Sequence, residues 1–302
     1  VADKRAEQEP DEHKDGDDLL IDAIHVQPTP SQLMTRVSSA LILIPLALSA
    51  VWLGGIWFAG LLALVGAVMS VEWAIIAGFN RRLLGAFYGF TTLLVAGFIL
   101  FSSEKFAPDF AVGSLSSLAD WGLFTACAGG VLLLLSLASA RFAPLKWGGL
   151  AIFYCWTPLY ALMWLRAQDG GLWLVAWVLL VVWGTDIGGY FVGRAVGGAK
   201  LVPKISPNKT WAGLFGGMAL AAVAGLIGAL WFHFGSIFYL ALAAAGLAVV
   251  GQIGDLAESA LKRHFNVKDS GRIIPGHGGV LDRVDGLVFV APLVALFLYF
   301  AR

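Results

Sequence analysis

The chain has 302 residues, 59% of them hydrophobic and 13% charged, with a formal net charge of zero and a mean hydropathy of +0.80. Soluble domains average about 45–50% apolar and about 25% charged residues, so this composition excludes a soluble globular enzyme and a disordered chain. It indicates a polytopic membrane protein.

The zero balance is uneven along the chain. Residues 1–36 carry nine Asp/Glu against four Lys/Arg, and the rest carries eleven against sixteen. The stretch DKRAEQEPDEHKDGDD has almost nothing apolar to bury, so residues 1–36 read as an acidic, disordered cytoplasmic tail. No basic segment leads into an apolar one there, so the tail does not read as a secretory signal. Cys127 and Cys155 lie in apolar runs and form no CxxC pair, which argues against a disulfide scaffold and against zinc or redox chemistry.

A helix needs about 20 apolar residues to cross about 30 Å of hydrocarbon. From Val37 to Val71 there are 35 uncharged residues, and Gly54-Gly55 splits them into two helices ending near Ala77. Further apolar runs cover 83–103, 121–140, 148–165, 171–193, 211–233, 236–256 and 284–301. The expected fold is therefore all-α, with about nine transmembrane helices and a cytoplasmic N-terminus. Residues 37–170 form the N-terminal helices, and 171–302 form the C-terminal, catalytic region. With nine spans, thirteen Lys/Arg fall in connections on one side and three on the other, which the positive-inside rule reads as cytoplasm and exterior. Small-residue pairs such as Gly213-xxx-Gly217 predict close helix packing.

Polar groups are sparse in the first half. Glu72, in SVEWAIIAG, is the exception, and an ionised acid at the bilayer centre costs about 2.5–3.5 kcal/mol on insertion scales. It reads equally as a carboxylate paired with Arg81, Arg82 or a neighbouring helix and as a contributor to a buried polar site. The second half differs. WGTDIGGYFVGR places Asp186 near the end of a span, followed by Arg194. The next connection, AKLVPKISPNKTWAG, holds Lys200, Lys204, Ser206, Asn208, Lys209 and Thr210, with Pro203 and Pro207 preventing a regular helix. A basic loop is the topological default, but a stiff one that interleaves ammonium and hydroxyl donors also suits phosphate oxygens.

Residues 251–286 carry the strongest signal. Asp255 and Glu258 stand at i and i+3 on one helical face, with Ser259 and Lys262 on about the same stripe. Asp282 and Asp285 form a second i, i+3 pair at the start of the last span. Four carboxylates gathered there repel unless a cation sits among them. An all-oxygen donor set favours Mg²⁺, Mn²⁺ or Ca²⁺ over zinc. Lys262, Arg263, Lys268 and Arg272 are placed to hold a phosphorylated substrate against that metal. The alternative is a set of ordinary salt bridges, worth about 0–1 kcal/mol each when exposed, which leaves so dense a cluster unexplained. No GxxxxGK[ST], HExxH or GxSxG motif is present. Metal with basic groups and no obvious protein nucleophile fits phosphoryl or nucleotidyl transfer.

SALKRHFNVKDSGRIIPGHGGVLDRVDG, residues 259–286, closely resembles the C-terminal signature of the phosphatidate cytidylyltransferases, S-x-x-K-R, K-D, then P-G-H-G-G-x-x-D-R-x-D. GDLAES, TDIGGYFVGR and KISPNKTWAG look like the same family, so the likeness covers roughly residues 183–286; VEW around Glu72 is a weaker match. The resemblance implies that CTP and phosphatidate give CDP-diacylglycerol and pyrophosphate. It implies Mg²⁺ dependence with one or two ions, a site open to the cytoplasm and a homodimer, with membrane lipid and no nucleic acid as partner; the expected location is a bacterial inner membrane. It casts Asp255, Lys262, His277, Asp282 and Asp285 as the catalytic set, with Asp255, Glu258, Asp282 and Asp285 on metal. Asp186, Lys204, Ser206, Lys209, Thr210, Ser259, Arg263, Lys268, Arg272 and Arg283 are the expected substrate-binding residues. A CTP-dependent polyprenol kinase is the alternative enzyme. A secondary transporter is the alternative of another class, although no inverted repeat stands out.

Overall fold

The computed structural model describes residues 30–79, 143–233, 235–271, 273–274 and 278–301. Residues 1–29, the expected spans at 83–103 and 121–140, Arg81, Arg82, Cys127, Arg272 and His277 lie outside the described residues.

Among the described residues the chain is predominantly helical. Helix α1 (Pro30–Leu53) is followed by α2 (Gly55–Ile76), α3 (Ala143–Arg166), α4 (Gly171–Val196), α5 (Trp211–Trp231), α6 (Ile237–His264) and α7 (Leu281–Phe300). Six of these helices are long and apolar enough to cross a membrane, and the apolar part of α1, Val37–Leu53, is shorter. The chain is an integral membrane protein, and large side chains such as Trp57, Phe215, Phe238 and Phe297 lie exposed on its outer faces, as lipid-facing residues do.

The break between α1 and α2 falls where the glycine pair predicts it. Gly54 and Gly55 both have positive φ (65° and 48°), a conformation open to glycine at little cost. The Arg166 guanidinium, at the end of α3, closes this corner by donating to the carbonyls of Val51 (2.8 Å) and Trp52 (3.2 Å).

One element departs from the all-α expectation. The connection between α4 and α5 forms an antiparallel ribbon of β1 (Lys200–Val202) and β2 (Ser206–Thr210), with Lys200 opposite Thr210 and Val202 opposite Ser206. The prolines that forbid a helix sit in its turn and on β2, a two-stranded ribbon that has edges free to take them.

The helices pack in sequence, α4 on α5, α5 on α6, α6 on α7, with α3 against both α2 and α7. Glycines set the closest approaches. An ideal Cβ at Gly213 would lie 2.9 Å from the Gly189 carbonyl, and one at Gly217 would lie 2.8 Å from that of Thr185. Only residues without a side chain let α4 and α5 meet this closely. Indole groups add directional ties: Trp73 donates to the Trp147 carbonyl, Trp156 to Ser70 Oγ, and Trp177 to the Ala224 carbonyl. Each satisfies a buried N–H that would otherwise cost stability. Trp73, Trp156, Met69 and Leu165 are fully buried at the centre of the α2–α3 core.

Candidate active site

Helix α6 delivers Asp255 and Glu258 one turn apart, and α7 delivers Asp285. Gly254 makes this meeting possible, because an ideal Cβ there would stand 2.5 Å from the Asp285 carbonyl oxygen. One carboxylate oxygen from each of Asp255, Glu258 and Asp285 lies within 4.8 Å of the others. Glu258 is 1% exposed, and among the described residues its Oε1 has no hydrogen-bond partner, although the Lys262 ammonium is an ion-pair neighbour at 3.2 Å. A buried carboxylate oxygen left without a hydrogen bond, among oxygen donors only, fits a hard divalent cation.

Asp282 lies beside that trio, its carboxyl against that of Glu258. Its Oδ1 accepts from Lys262 Nζ at 2.7 Å, and its Oδ2 accepts from the backbone N–H groups of Ser270 (3.1 Å) and Gly279 (3.0 Å). Of the four carboxylates expected to act together, three converge on one point, and the fourth, beside Glu258, also ties Lys262 to the loop before α7. Lys262 bridges Glu258 and Asp282, joining α6 to α7.

The ribbon brings the basic loop to the same place. Lys209 on β2 is ion-paired with Asp255. Thr210 is buried, and its Oγ1 accepts from the Gly213 N–H at 3.0 Å, so it caps α5. Ser206 is half-buried in the ribbon, and Lys204 is exposed at its turn. Asp186 lies within electrostatic range of Asp255, Lys209 and Arg283. Ser259 is half-buried on α6, while Arg263, Lys268 and Arg283 are exposed around the site.

Two residues outside the expected set join it. Glu72, 1% exposed, reaches from α2 to the start of α7. Its Oε1 accepts from the Val280 N–H (2.9 Å), and its Oε2 accepts from the Leu281 N–H (2.8 Å) and Ser270 Oγ (3.5 Å). The signal for it was present in the sequence as a lone acid in an apolar run. Tyr154 on α3 carried no such signal. It is 8% exposed, its ring stands 5.2 Å from that of Trp73 and 6.3 Å from that of Phe289, and its hydroxyl has no hydrogen-bond partner among the described residues. That hydroxyl is within electrostatic range of Glu258, Asp285 and Asp255.

Sequence comparison relates the chain to known proteins. A model described as "Cytidylyltransferase family" matches residues 34–301. A phosphatidate cytidylyltransferase of Brucella suis biovar 1 (strain 1330) is 38% identical over 268 residues, covering 88% of this chain and 93% of that protein. One from Pseudomonas aeruginosa is 36% identical over 283 residues, covering 89% and 98%. One from Bacillus subtilis (strain 168) is 51% identical over 131 residues, covering 43% and 47%.

Proposed function

The chain belongs to the cytidylyltransferase family, and from that premise we propose that it is a phosphatidate cytidylyltransferase. CTP and phosphatidate give CDP-diacylglycerol and pyrophosphate. The observation that carries this reading is the convergence of Asp255, Glu258 and Asp285 from two membrane helices beside Lys209 and Lys262.

The lipid phosphate is already ionised at neutral pH, so no strong protein base is needed. One of its oxygens bonds to the α-phosphorus of CTP, and the bond from that phosphorus to the bridging oxygen breaks, releasing pyrophosphate. Catalysis of such transfers is chiefly positioning and charge neutralisation. Asp255, Glu258 and Asp285, joined in the fuller assignment by Asp282, would hold Mg²⁺ as one ion or two; when bound it neutralises charge on the triphosphate. Lys209 and Lys262 neutralise phosphate oxygens as the carboxylates they pair with turn to other partners. Lys204, Arg263, Lys268 and Arg283, exposed cations, serve as phosphate contacts, a role also assigned to Arg272, with Ser206 and Ser259 as hydroxyl donors. Thr210 acts through its cap on α5, which holds β2 in place. Asp186 borders the nucleotide, and His277 orients phosphate from the glycine turn.

Catalysis is assigned to residues 171–302, with the site opening to the cytoplasm of a bacterial inner membrane and the enzyme acting as a homodimer. Acyl chains stay in the bilayer while the headgroup enters sideways. The test is a detergent-micelle assay with phosphatidate, labelled CTP and Mg²⁺, read as lipid-extractable cytidine label and pyrophosphate. Both products together, only with phosphatidate, establish the reaction. CDP without labelled lipid indicates a CTP-dependent lipid kinase. Neither product from folded, Mg²⁺-binding protein refutes the assignment.

A further inference from the structure

The first turn of α7 carries Asp282 and Asp285, so the reaction depends on where that turn is held. A helix N-terminus presents unpaired N–H groups and the positive end of the helix dipole. Helix α7 has no cap of its own, because its N-cap residue, Val280, offers no side-chain acceptor. The chain leading into it runs through Gly278 and Gly279, which contribute little stiffness. Something else must fix the turn.

That acceptor is Glu72. Both of its oxygens are used, one on the Val280 amide and the other on the Leu281 amide and the Ser270 hydroxyl. Bonds from N–H to an ionised carboxylate are roughly twice as strong as neutral ones. Among the described residues Glu72 makes no ion pair, and the helix end and the Ser270 hydroxyl are its hydrogen-bond partners. Two glycines give it room. An ideal Cβ at Gly271 or at Gly279 would lie 2.8 Å from Glu72 Oε1. These glycines therefore serve close approach of a carboxylate to backbone. Asp282 grips the same segment from the other side, through the N–H groups of Ser270 and Gly279.

We infer that Glu72 is a positioning residue, a latch from the N-terminal helices that holds the start of α7 and thereby sets Asp282 against Lys262 and Asp285 against Asp255 and Glu258. It rests on the cytidylyltransferase reading for its kinetic consequence but not for its structural one. Both Glu72 oxygens are already taken by the start of α7 and by Ser270, so it acts through the residues it holds. The first helices are then part of the catalytic apparatus and not only its membrane anchor.

The experiment uses the full chain in detergent micelles, with Glu72→Gln and Glu72→Asp. Hydrogen exchange is followed over residues 278–281 and over α4 and α5, alongside turnover with CTP, phosphatidate and Mg²⁺. The Gln amide sets a donor against the N–H groups, so exchange at Val280 and Leu281 speeds up while α4 and α5 keep their protection. In the same variant kcat falls by about tenfold or more, with KM for phosphatidate changed by less than about twofold. Glu72→Asp keeps the charge at shorter reach and recovers part of both. Unchanged exchange and kcat in Glu72→Gln overturn the inference. So does loss of protection spread evenly over α4, α5 and α7, which would make Glu72 a stabilising residue without a specific target. If Glu72→Gln does not fold, Glu72→Asp decides by the same local-against-global criterion. Absent turnover in the unmodified protein would refute the cytidylyltransferase reading, while the exchange result would still judge the latch.

Discussion

Lys209 and Asp255 are ion-paired across 46 positions of sequence, joining the ribbon after α4 to the middle of the acidic cluster. The cluster thus contains its own cation, on a side chain that can leave Asp255 for a phosphate. Lys209→Ala should lower kcat/KM for CTP by about ten- to a hundredfold, the equivalent of about 1.5–3 kcal/mol for a hydrogen bond to a charged group. Lys209→Arg should recover little, because a planar fork does not replace a compact ammonium. Steady-state kinetics in CTP check this, and an unchanged kcat/KM would remove Lys209 from the site.

Asp285 meets Asp255 and Glu258 across the α6–α7 contact. Asp285→Asn replaces one of three charged oxygen donors with a neutral amide. Affinity for Mn²⁺, followed by electron paramagnetic resonance as a probe for Mg²⁺, should drop by at least about tenfold, since even an outer partner of a metal ligand is worth 10–100-fold. Retained Mn²⁺ binding would show that the trio is not the cation site.

Asp282 behaves differently, because it is held by Lys262 and two backbone amides. Both side chains of the pair are largely buried, 15% and 10% exposed. Asp282→Asn breaks the closer of the two ion pairs of Lys262 and leaves it Glu258 alone, so the destabilisation should stay below the roughly 3–5 kcal/mol of a fully orphaned buried charge. A lower thermal midpoint should therefore accompany the loss of turnover. Asp285→Asn, which breaks no such pair, should melt near the unmodified protein. Equal midpoints for the two variants would contradict the division between them.

Tyr154 buries a hydroxyl without a partner among the described residues, a group whose desolvation costs about 1–3 kcal/mol by mutational measures. Tyr154→Phe should leave the ligand-free protein as stable or more stable, while lowering kcat by about tenfold if the hydroxyl donates to substrate. Thermal melting with and without CTP separates the two effects. Full activity in the variant would reduce Tyr154 to a packing residue.

Helix α4 meets α5 at Gly188, where a Cβ would run into the Gly216 carbonyl and stand 3.0 Å from Leu220 Cβ. Gly188→Val should destabilise by about 1–3 kcal/mol, the usual cost of overpacking. It should also displace Asp186, two residues away. Gly189→Ala is the control, since its nearest neighbour would be 3.5 Å off and its melting should change little.

What the sequence made legible followed from local rules. Hydropathy placed α3 to α7 within a few residues at most ends, and Gly54-Gly55 marked the corner between α1 and α2. The ribbon was less accessible, because KISPNKT lacks the alternation that marks a half-buried strand. Spacing put Asp282 and Asp285 on one helical face but gave no means to tell which of them the preceding loop would capture. The amides of Ser270 and Gly279 make that choice. Glu72 shows the same limit: its nearest charges in sequence were Arg81 and Arg82, yet the partners described here lie 198 to 209 positions away. Two of those partners are backbone N–H groups, which leave no mark in a residue pattern.

The corner at Gly54 depends on a residue made much later. When α1 and α2 leave the ribosome, Arg166 has not yet been synthesised, and the Val51 and Trp52 carbonyls that it will cover lack that donor. In the bilayer every such group must find a partner. The first hairpin therefore enters with one end unfinished, and its geometry is settled only when α3 has inserted and brought its last residue alongside. Nascent chains stalled before position 166 should hold that corner loosely, and chains stalled well beyond it should hold it shut.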